Sequence, residues 1–291
     1  MRQPVERELS IEGERFCLFE WPVADGPVAE RVLLLHATGF HARCWDKVVA
    51  QLPADWQVFA YDGRGHGRST KNGPYSWDQF AADLEAVATL LGLQGAIGVG
   101  HSMGGFCMAH VGARRADLFK RLFLIDPVIF SPDAYAELEA MFTDVADHPV
   151  ARRKAQFDSW EAMFERFESR HPYSLWVPEI LRDYCRYGVV PDPENGGVVL
   201  ACPPESEAQV YMNNFTTNIH PLLADLNVPV TILRAPGRDL ASPEMDFAAS
   251  PTWHGLAAYL PNARDVLLED LTHFIPMQDP GLVADFVAGQ R

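Results

Sequence analysis

The 291-residue sequence lacks any apolar run that approaches the length of a membrane-spanning helix. Its first ten residues, MRQPVERELS, are polar and lack the apolar core of a signal peptide. Cysteine is scarce as well, with five residues, an odd number, and none of the spacings typical of metal sites. These absences predict a cytoplasmic protein with reduced, mostly buried thiols.

Basic residues are also few: the sequence has 24 Lys and Arg but 39 Asp and Glu, which gives a formal net charge of −15. This balance argues against a nucleic-acid partner, which would favour clustered Lys and Arg, and it weakly disfavours anionic substrates and membrane surfaces. The sequence shows no cluster of metal ligands and no nucleotide-binding glycine loop, so no metal and no cofactor is predicted. The oligomeric state stays open.

Short apolar runs alternate with helical patterns in the first 126 residues. A hairpin that turns near Gly13 precedes four predicted strands, with a helix beginning after Ser76 and another near Met103. The predicted strands are 31–36, 56–62, 95–100 and 121–126. Alternation of this kind favours a parallel sheet with helices on both faces.

The alternation stops from 127 to 220, which is predicted as helices and loops rich in aromatic residues. It resumes with strands at 228–234 and 264–270 and helices near 253–260 and 281–288. The middle block is therefore predicted to be an insertion between sheet strands. The resulting division is a first core part at 1–126, an insertion at 127–220 and a second core part at 221–291.

The stretch GHSMG, residues 100–104, places Ser102 between glycines at the spacing G-x-S-x-G. A strand is predicted before it and a helix after it, and this setting holds a serine out at the carboxyl end of a sheet. Ser102 is the predicted nucleophile. A serine that only caps the helix is the structural alternative.

A serine hydroxyl needs a base, and His273 is the predicted one. It lies in a loop between the last strand and the final helix, at the end of the sheet where Ser102 emerges. The other histidines are predicted to have structural roles; His36 and His66, for example, lie in loops where they would hold backbone.

An acid must orient the imidazole, and two aspartates compete for this role. Asp239 follows the strand 228–234, and the order Ser102, Asp239, His273 matches one hydrolase architecture. Asp126 also lies at the end of a predicted strand, at the same carboxyl end of the sheet. Asp239 is the preferred candidate and Asp126 is its alternative.

Attack on a carbonyl creates an oxyanion that requires two preorganised donors. The backbone N–H of Met103, directly after the nucleophile, is one predicted donor. The second is assigned to the N–H of Thr38 in the loop HATGF, with Gly39 as the alternative. The Thr38 hydroxyl could add a donor or bond locally within the turn.

These segments together resemble the α/β-hydrolase superfamily, its esterase, lipase-like and haloperoxidase-like branches in particular. The matching stretches are LLLHATGF, YDGRGHGRS, GHSMGG, PGRD and LTHFIPMQDP. One departure is Ala37, which stands where the oxyanion loop of the family usually has glycine. The resemblance implies a mostly parallel eight-stranded sheet with helices on both faces, a helical cap inserted after strand 6, and a structural role for Arg64 in holding neighbouring loops.

A serine at the nucleophile position excludes those branches of the family whose nucleophile is aspartate. It points to acyl chemistry. The predicted protein is a carboxylic ester hydrolase that acts on small to medium neutral substrates. Residues 127–220 contain 15 acidic and 7 basic residues. If this negative charge lies at the entrance to the active site, neutral esters are favoured over acidic ones. The alternatives are a lactonase, a thioesterase, a carbon–carbon bond hydrolase, an acyl transferase or perhydrolase with the same triad, and a ligand receptor that keeps the triad.

Overall fold

The computed structural model describes residues 2–137, 144–237 and 246–291. A central eight-stranded sheet has the strand order β1-β2-β4-β3-β5-β6-β10-β11. The first pairings, β1 with β2 and β2 with β4, are antiparallel, and the others are parallel. The strands are β1 (Val5–Ile11), β2 (Glu14–Trp21), β3 (Glu30–Leu35), β4 (Trp56–Tyr61), β5 (Ala96–His101), β6 (Phe119–Ile125), β10 (Val230–Arg234) and β11 (Ala263–Leu267).

Helices cover both faces of this sheet. The α-helices are α1 (Asp46–Val49), α2 (Trp77–Leu90), α3 (Met103–Arg114), α4 (Pro132–Glu137), α5 (Trp160–Phe167), α6 (Pro178–Tyr187), α7 (Pro204–Met212), α8 (His220–Leu223), α9 (Ile275–Gln278) and α10 (Pro280–Ala288). Short 3₁₀ helices span Ala42–Trp45, Val145–Asp147, Pro149–Arg152, Tyr173–Leu175 and Leu256–Tyr259. The predicted mostly parallel eight-stranded sheet with helices on both faces is confirmed.

Local chemistry explains where α2 begins. Ser76 is extended and its hydroxyl accepts a hydrogen bond from the backbone N–H of Gln79 at 3.3 Å, as expected for an N-cap. The α2 helix then buries Phe80, Leu84 and Val87 against one face of the sheet, in the first of three hydrophobic clusters. The second cluster packs α1 and α10 against the opposite face.

The segment between β6 and β10, which we refer to as the cap, contains more than helices. Its small antiparallel sheet has the order β7-β9-β8, formed by β7 (Gln156–Phe157), β8 (Val189–Pro191) and β9 (Val198–Leu200). From the sequence, only helices and loops were expected here. Strands of two or three residues are too short to show the period-2 alternation by which strands are identified in a sequence.

The cap contacts the core over the carboxyl ends of the strands. A third hydrophobic cluster lies between them, with Phe40 and Phe274 from the core and Trp176 and Tyr184 from the cap. Polar contacts across the same boundary include Trp77 Nε1, which donates to the Val210 carbonyl at 2.8 Å. The cap therefore covers the edge of the sheet at which the predicted site residues lie.

Candidate active site

Strand register places Ser102 and Asp126 side by side at the carboxyl ends of two neighbouring strands. His101 pairs with Ile125 across β5 and β6, so the residues that follow them leave adjacent strands at the same level. Both Ser102 and Asp126 have positive φ, of 57° and 44°. These rare conformations for non-glycine residues turn the chain sharply at the ends of the two strands.

The tight turn at Ser102 requires glycine on both sides. A Cβ on Gly100 would lie 2.1 Å from the carbonyl oxygen of Gly104, and a Cβ on Gly104 would lie 2.2 Å from that of Leu35. The backbone of α3 therefore approaches β5 and β3 more closely than any side chain would permit. The G-x-S-x-G spacing is explained by these two contacts.

His273 connects Ser102 to Asp126. Its Nδ1 lies 2.6 Å from Asp126 Oδ2, and its Nε2 lies 3.1 Å from Ser102 Oγ. An ionised carboxylate can only accept, so Nδ1 carries the proton and Nε2 presents its lone pair to the serine hydroxyl. This arrangement can take a proton from Ser102.

Asp126 is fully buried and its second oxygen is satisfied separately. Oδ1 accepts from the backbone N–H of Ala235 at 2.9 Å and from the hydroxyl of Ser250 at 2.6 Å. The hydroxyl of Thr252 lies 3.4 Å away. Hydrogen bonds to the charged form stabilise a carboxylate away from water, so Asp126 is held as an acceptor for the imidazole.

The acid that sequence analysis preferred, Asp239, lies outside the described residues. Its alternative, Asp126, occupies the place at His273 Nδ1. The sequence alone did not rank Asp126 above Asp239, because both are associated with the end of a predicted strand; the pairing of β6 with β5, the strand before Ser102, is seen only in the structure. Ser250 and Thr252, which hold its second oxygen, were not identified from the sequence.

The loop of His273 is positioned by two backbone contacts. His101 Nε2 donates to the His273 carbonyl at 2.8 Å, and the His273 N–H donates to the Ala248 carbonyl at 2.7 Å. Burial, with a smaller contribution from neighbouring His273, lowers the pKa of His101 well below its usual value. His101 is therefore neutral and serves as a fixed donor beside the site.

The candidate oxyanion donors differ in whether their backbone N–H already donates a hydrogen bond within the protein. The Gly39 N–H donates to His66 Nε2 at 2.9 Å. In the described part of the chain, no acceptor contacts the backbone N–H of Thr38 or of Met103. These two N–H groups are buried and uncommitted, which favours Thr38 over Gly39 as the second donor.

His36 and His66 hold the loops around the site, as predicted. His36 Nδ1 donates to the Ala37 carbonyl at 2.7 Å, and its Nε2 accepts from the Gly63 N–H at 2.8 Å. Burial lowers the pKa of both imidazoles, so they stay neutral and each can donate with one nitrogen and accept with the other.

Arg64 also holds loops, as the resemblance implied. It forms a two-pronged ion pair with buried Asp83, at 2.8 and 2.9 Å, and donates to the Asn72 carbonyl at 3.0 Å. The role of Arg64 is structural.

A cavity of about 260 Å³ lies between the cap and the loop of Thr38. Its lining is partly apolar, with the rings of Phe40, Phe247 and Phe274. The polar part of the lining comes from Thr38, Arg153, Tyr173, Tyr184, Glu207 and Tyr211. Burial raises the pKa of the Glu207 carboxyl, and the neighbouring Arg153 partly offsets that rise.

All five cysteines are free and buried, as predicted. Within residues 2–137, 144–237 and 246–291, no three His, Cys, Asp or Glu side chains converge as metal ligands. No helix in these same ranges combines the length and apolarity needed to cross a membrane.

Curated relatives share part of the sequence. Lipase LipV of Mycobacterium tuberculosis is 38% identical over 137 residues, which cover 45% of this chain and 51% of that protein. The bifunctional esterase/perhydrolase DCH of Acinetobacter calcoaceticus is 39% identical over 98 residues, 33% of this chain and 34% of that one. The matches thus span about half or less of these relatives.

Solved structures match over nearly the whole chain at low identity. E-2-(acetamidomethylene)succinate hydrolase has a TM-score of 0.76 at 21% identity, with 98% of each chain covered. The thioesterase domain from the curacin biosynthetic pathway has a TM-score of 0.76 at 20% identity, with 98% of this chain and 99% of that one covered. At such identities the likeness concerns the fold.

The family model described as the alpha/beta hydrolase family matches residues 32–286. This range includes the strands that carry Ser102 and Asp126, the cap, and the loop of His273. The chain is a member of the alpha/beta hydrolase family.

Proposed function

We propose that this protein hydrolyses carboxylic esters through an acyl-enzyme on Ser102, with His273 as general base and Asp126 as the orienting acid. The hydrogen-bonded series Asp126–His273–Ser102 carries the proposal. In this assignment Asp126 takes the role that sequence analysis gave to Asp239. The lipase and esterase among the partly matching relatives support ester chemistry.

The first half-reaction attaches the acyl group to the enzyme. Ser102 Oγ attacks the ester carbonyl while His273 Nε2 takes the hydroxyl proton. The backbone N–H groups of Thr38 and Met103 hold the oxyanion, and Asp126 stabilises the imidazolium. The carbon–oxygen bond to the alcohol then breaks, and the alcohol leaves with the proton from His273.

The second half-reaction returns the enzyme to its starting state. Water attacks the acyl carbonyl and gives its proton to His273 Nε2. The bond between the acyl carbon and Ser102 Oγ breaks, the acid is released, and the proton returns to Ser102. Each turnover consumes one ester and one water and yields one acid and one alcohol.

The cavity supports small to medium neutral substrates. We assign residues 127–220 as the cap that closes it and 1–126 with 221–291 as the catalytic core. A volume of about 260 Å³ is small for a ligand pocket, since such pockets commonly hold about 300–1,000 Å³. Long acyl chains would exceed it.

The test is hydrolysis of p-nitrophenyl esters from acetyl to long acyl chains. We expect the highest kcat/KM at short or medium chains and complete loss with Ser102→Ala. Ser174→Ala is the matched control, because Ser174 is exposed on the cap. If the unaltered enzyme hydrolyses no ester while a fluorophosphonate still labels Ser102, ester hydrolysis is overturned and the triad is to be tested on lactones, thioesters and carbon–carbon substrates.

A further inference from the structure

The cavity beneath the cap contains an ion pair that ester hydrolysis itself does not require. Arg153 follows the 3₁₀ helix Pro149–Arg152, and Glu207 lies on α7. Arg153 Nη1 lies 2.7 and 3.0 Å from the two carboxylate oxygens of Glu207. Their side chains are only 20% and 5% exposed, so the pair is held in largely dry surroundings.

This ion pair leaves part of the guanidinium uncommitted. Nη1 serves both oxygens of Glu207, and Nη2 donates to the Tyr184 hydroxyl at 3.3 Å. In the described part of the chain, Arg153 Nε has no acceptor, although a guanidinium has five N–H donors. Arg153 lines the cavity and can therefore give a hydrogen bond to a molecule that enters it.

The pair lies close to the proposed site of reaction. A Cβ on Gly39 would fall 2.3 Å from Glu207 Oε1, so the carboxylate rests against the backbone of Gly39. Gly39 directly follows Thr38, whose N–H is the proposed oxyanion donor. A substrate whose carbonyl oxygen is held by the Thr38 N–H would therefore extend into the same cavity that Arg153 and Glu207 line.

Charge decides which substrate group fits. The ion pair is neutral as a whole, so an anionic group would leave the cavity with one uncompensated negative charge, and a cationic group with one positive charge. An alkyl chain would cover the remaining N–H donors of Arg153 and exclude the water that could satisfy them. A neutral oxygen acceptor satisfies a donor without adding charge.

We propose that Arg153 and Glu207 form a recognition site for a neutral oxygen acceptor, such as an ether, hydroxyl or amide oxygen, close to the ester carbonyl of the substrate. This inference rests on the proposed ester hydrolysis and specifies its substrate class. Arg153 donates to the acceptor, and Glu207 balances the charge of Arg153.

The experiment compares two p-nitrophenyl esters of equal length, the 3-methoxypropanoate and the pentanoate. The ratio of their kcat/KM values is measured for the unaltered enzyme and for Arg153→Met/Glu207→Leu. The double substitution replaces the whole pair with apolar residues, which avoids leaving one buried charge alone. We expect the ether ester to be preferred about tenfold by the unaltered enzyme, as one hydrogen bond would give, and this preference to be lost in the double variant.

The matched control is Lys47→Met/Asp183→Leu. This ion pair, at 3.2 Å, connects the core to the cap, and neither of its residues lines the cavity. We expect the control to keep the tenfold ratio. An unchanged ratio in Arg153→Met/Glu207→Leu, or the absence of any ether preference in the unaltered enzyme, overturns the proposal. A preference for p-nitrophenyl hydrogen succinate over both neutral esters also overturns it, because that result would make Arg153 an anion site.

A binding measurement separates this proposal from the proposed function. Ethyl 3-methoxypropanoate and ethyl pentanoate are titrated into Ser102→Ala and followed by ligand-observed NMR. Tighter binding of the ether in Ser102→Ala, lost when the ion pair is also replaced, supports recognition even if no ester is turned over. Turnover of both esters with equal binding supports ester hydrolysis and overturns recognition by Arg153 and Glu207.

Discussion

His273 Nδ1 donates a hydrogen bond to Asp126 Oδ2 over 2.6 Å, between residues 147 positions apart in the chain. The carboxylate fixes the tautomer in which Nε2 faces Ser102. An asparagine at 126 would present an amide N–H to Nδ1 and place the imidazole proton on Nε2, where it blocks proton transfer from the serine.

We therefore predict that Asp126→Asn lowers kcat on the best p-nitrophenyl ester by about 10⁴-fold, the size of effect that loss of the correct tautomer has in a serine triad. The matched variant Asp239→Asn is expected to stay within tenfold of the unaltered enzyme. Steady-state kinetics on both variants test this. The reverse ranking would assign the acid role to Asp239.

Gly100 is predicted to tolerate no side chain. The added Cβ of Gly100→Ala would lie 2.1 Å from the backbone oxygen of Gly104, so the backbone of α3 or β5 would have to shift. We expect a loss of about 3 kcal/mol or more in the free energy of unfolding, measured by urea denaturation. In the control Gly63→Ala the nearest atom lies at 3.5 Å, and the loss should be below about 1 kcal/mol. Equal stability of the two variants would contradict the close approach of α3 to β5.

Arg64→Met is predicted to reduce stability far more than catalysis. Asp83 would be left as a buried charge without its partner, which costs about 3–5 kcal/mol. Because Arg64 bonds to Asp83 and to the carbonyls of Asn72 and Gly73, none of them in the triad, kcat of the folded fraction should change less than tenfold. A loss of kcat comparable to that of Asp126→Asn, in protein shown to be folded by circular dichroism, would instead make Arg64 part of the catalytic machinery.

His41 is predicted to make the protein acid-sensitive. Burial lowers its pKa from 6.5 to about 4 in the folded state. As pH falls, the unfolded chain takes up this proton first, so stability decreases from about pH 6.5 down to about pH 4, at about 1.4 kcal/mol per pH unit.

The measurement is urea unfolding of the unaltered protein and His41→Gln at pH 7 and pH 5. The unaltered protein should lose about 2 kcal/mol more than the variant between these two values. His254→Gln, at an exposed position, is the control and should follow the unaltered protein. An identical pH dependence in His41→Gln would show that this imidazole does not titrate in the window.

The sequence predicted the strands of the central sheet, and it selected Ser102 and His273 as the candidates that the structure brings within 3.1 Å of each other. Most strands of the parallel sheet are short apolar runs bounded by turn residues; Ser102 directly follows one of them, and His273 lies in the loop after the last strand. The acid could not be chosen in this way, because Asp126 and Asp239 both follow strands that end on the same edge. The choice depends on register, which sets Ile125 opposite His101 and so places Asp126 beside Ser102.

The polar part of the cavity could not be predicted either. Arg153 and Glu207 are 54 positions apart, and each lies in a stretch where charged residues are common. Only the packing of the cap brings them together and against Gly39. A charged residue on a helix is usually solvated, so sequence pattern gives no reason to pair these two.

The most direct test of the central claim is to trap the acyl-enzyme. Enzyme is mixed with p-nitrophenyl butyrate, quenched in acid within milliseconds, digested, and analysed by mass spectrometry. The expected result is a butyryl group on the peptide that contains Ser102, which forms at the rate of the p-nitrophenol burst and is absent in Ser102→Ala. Turnover of the ester with no acyl group on Ser102, or with the group on another residue, would contradict the assignment of Ser102 as the nucleophile.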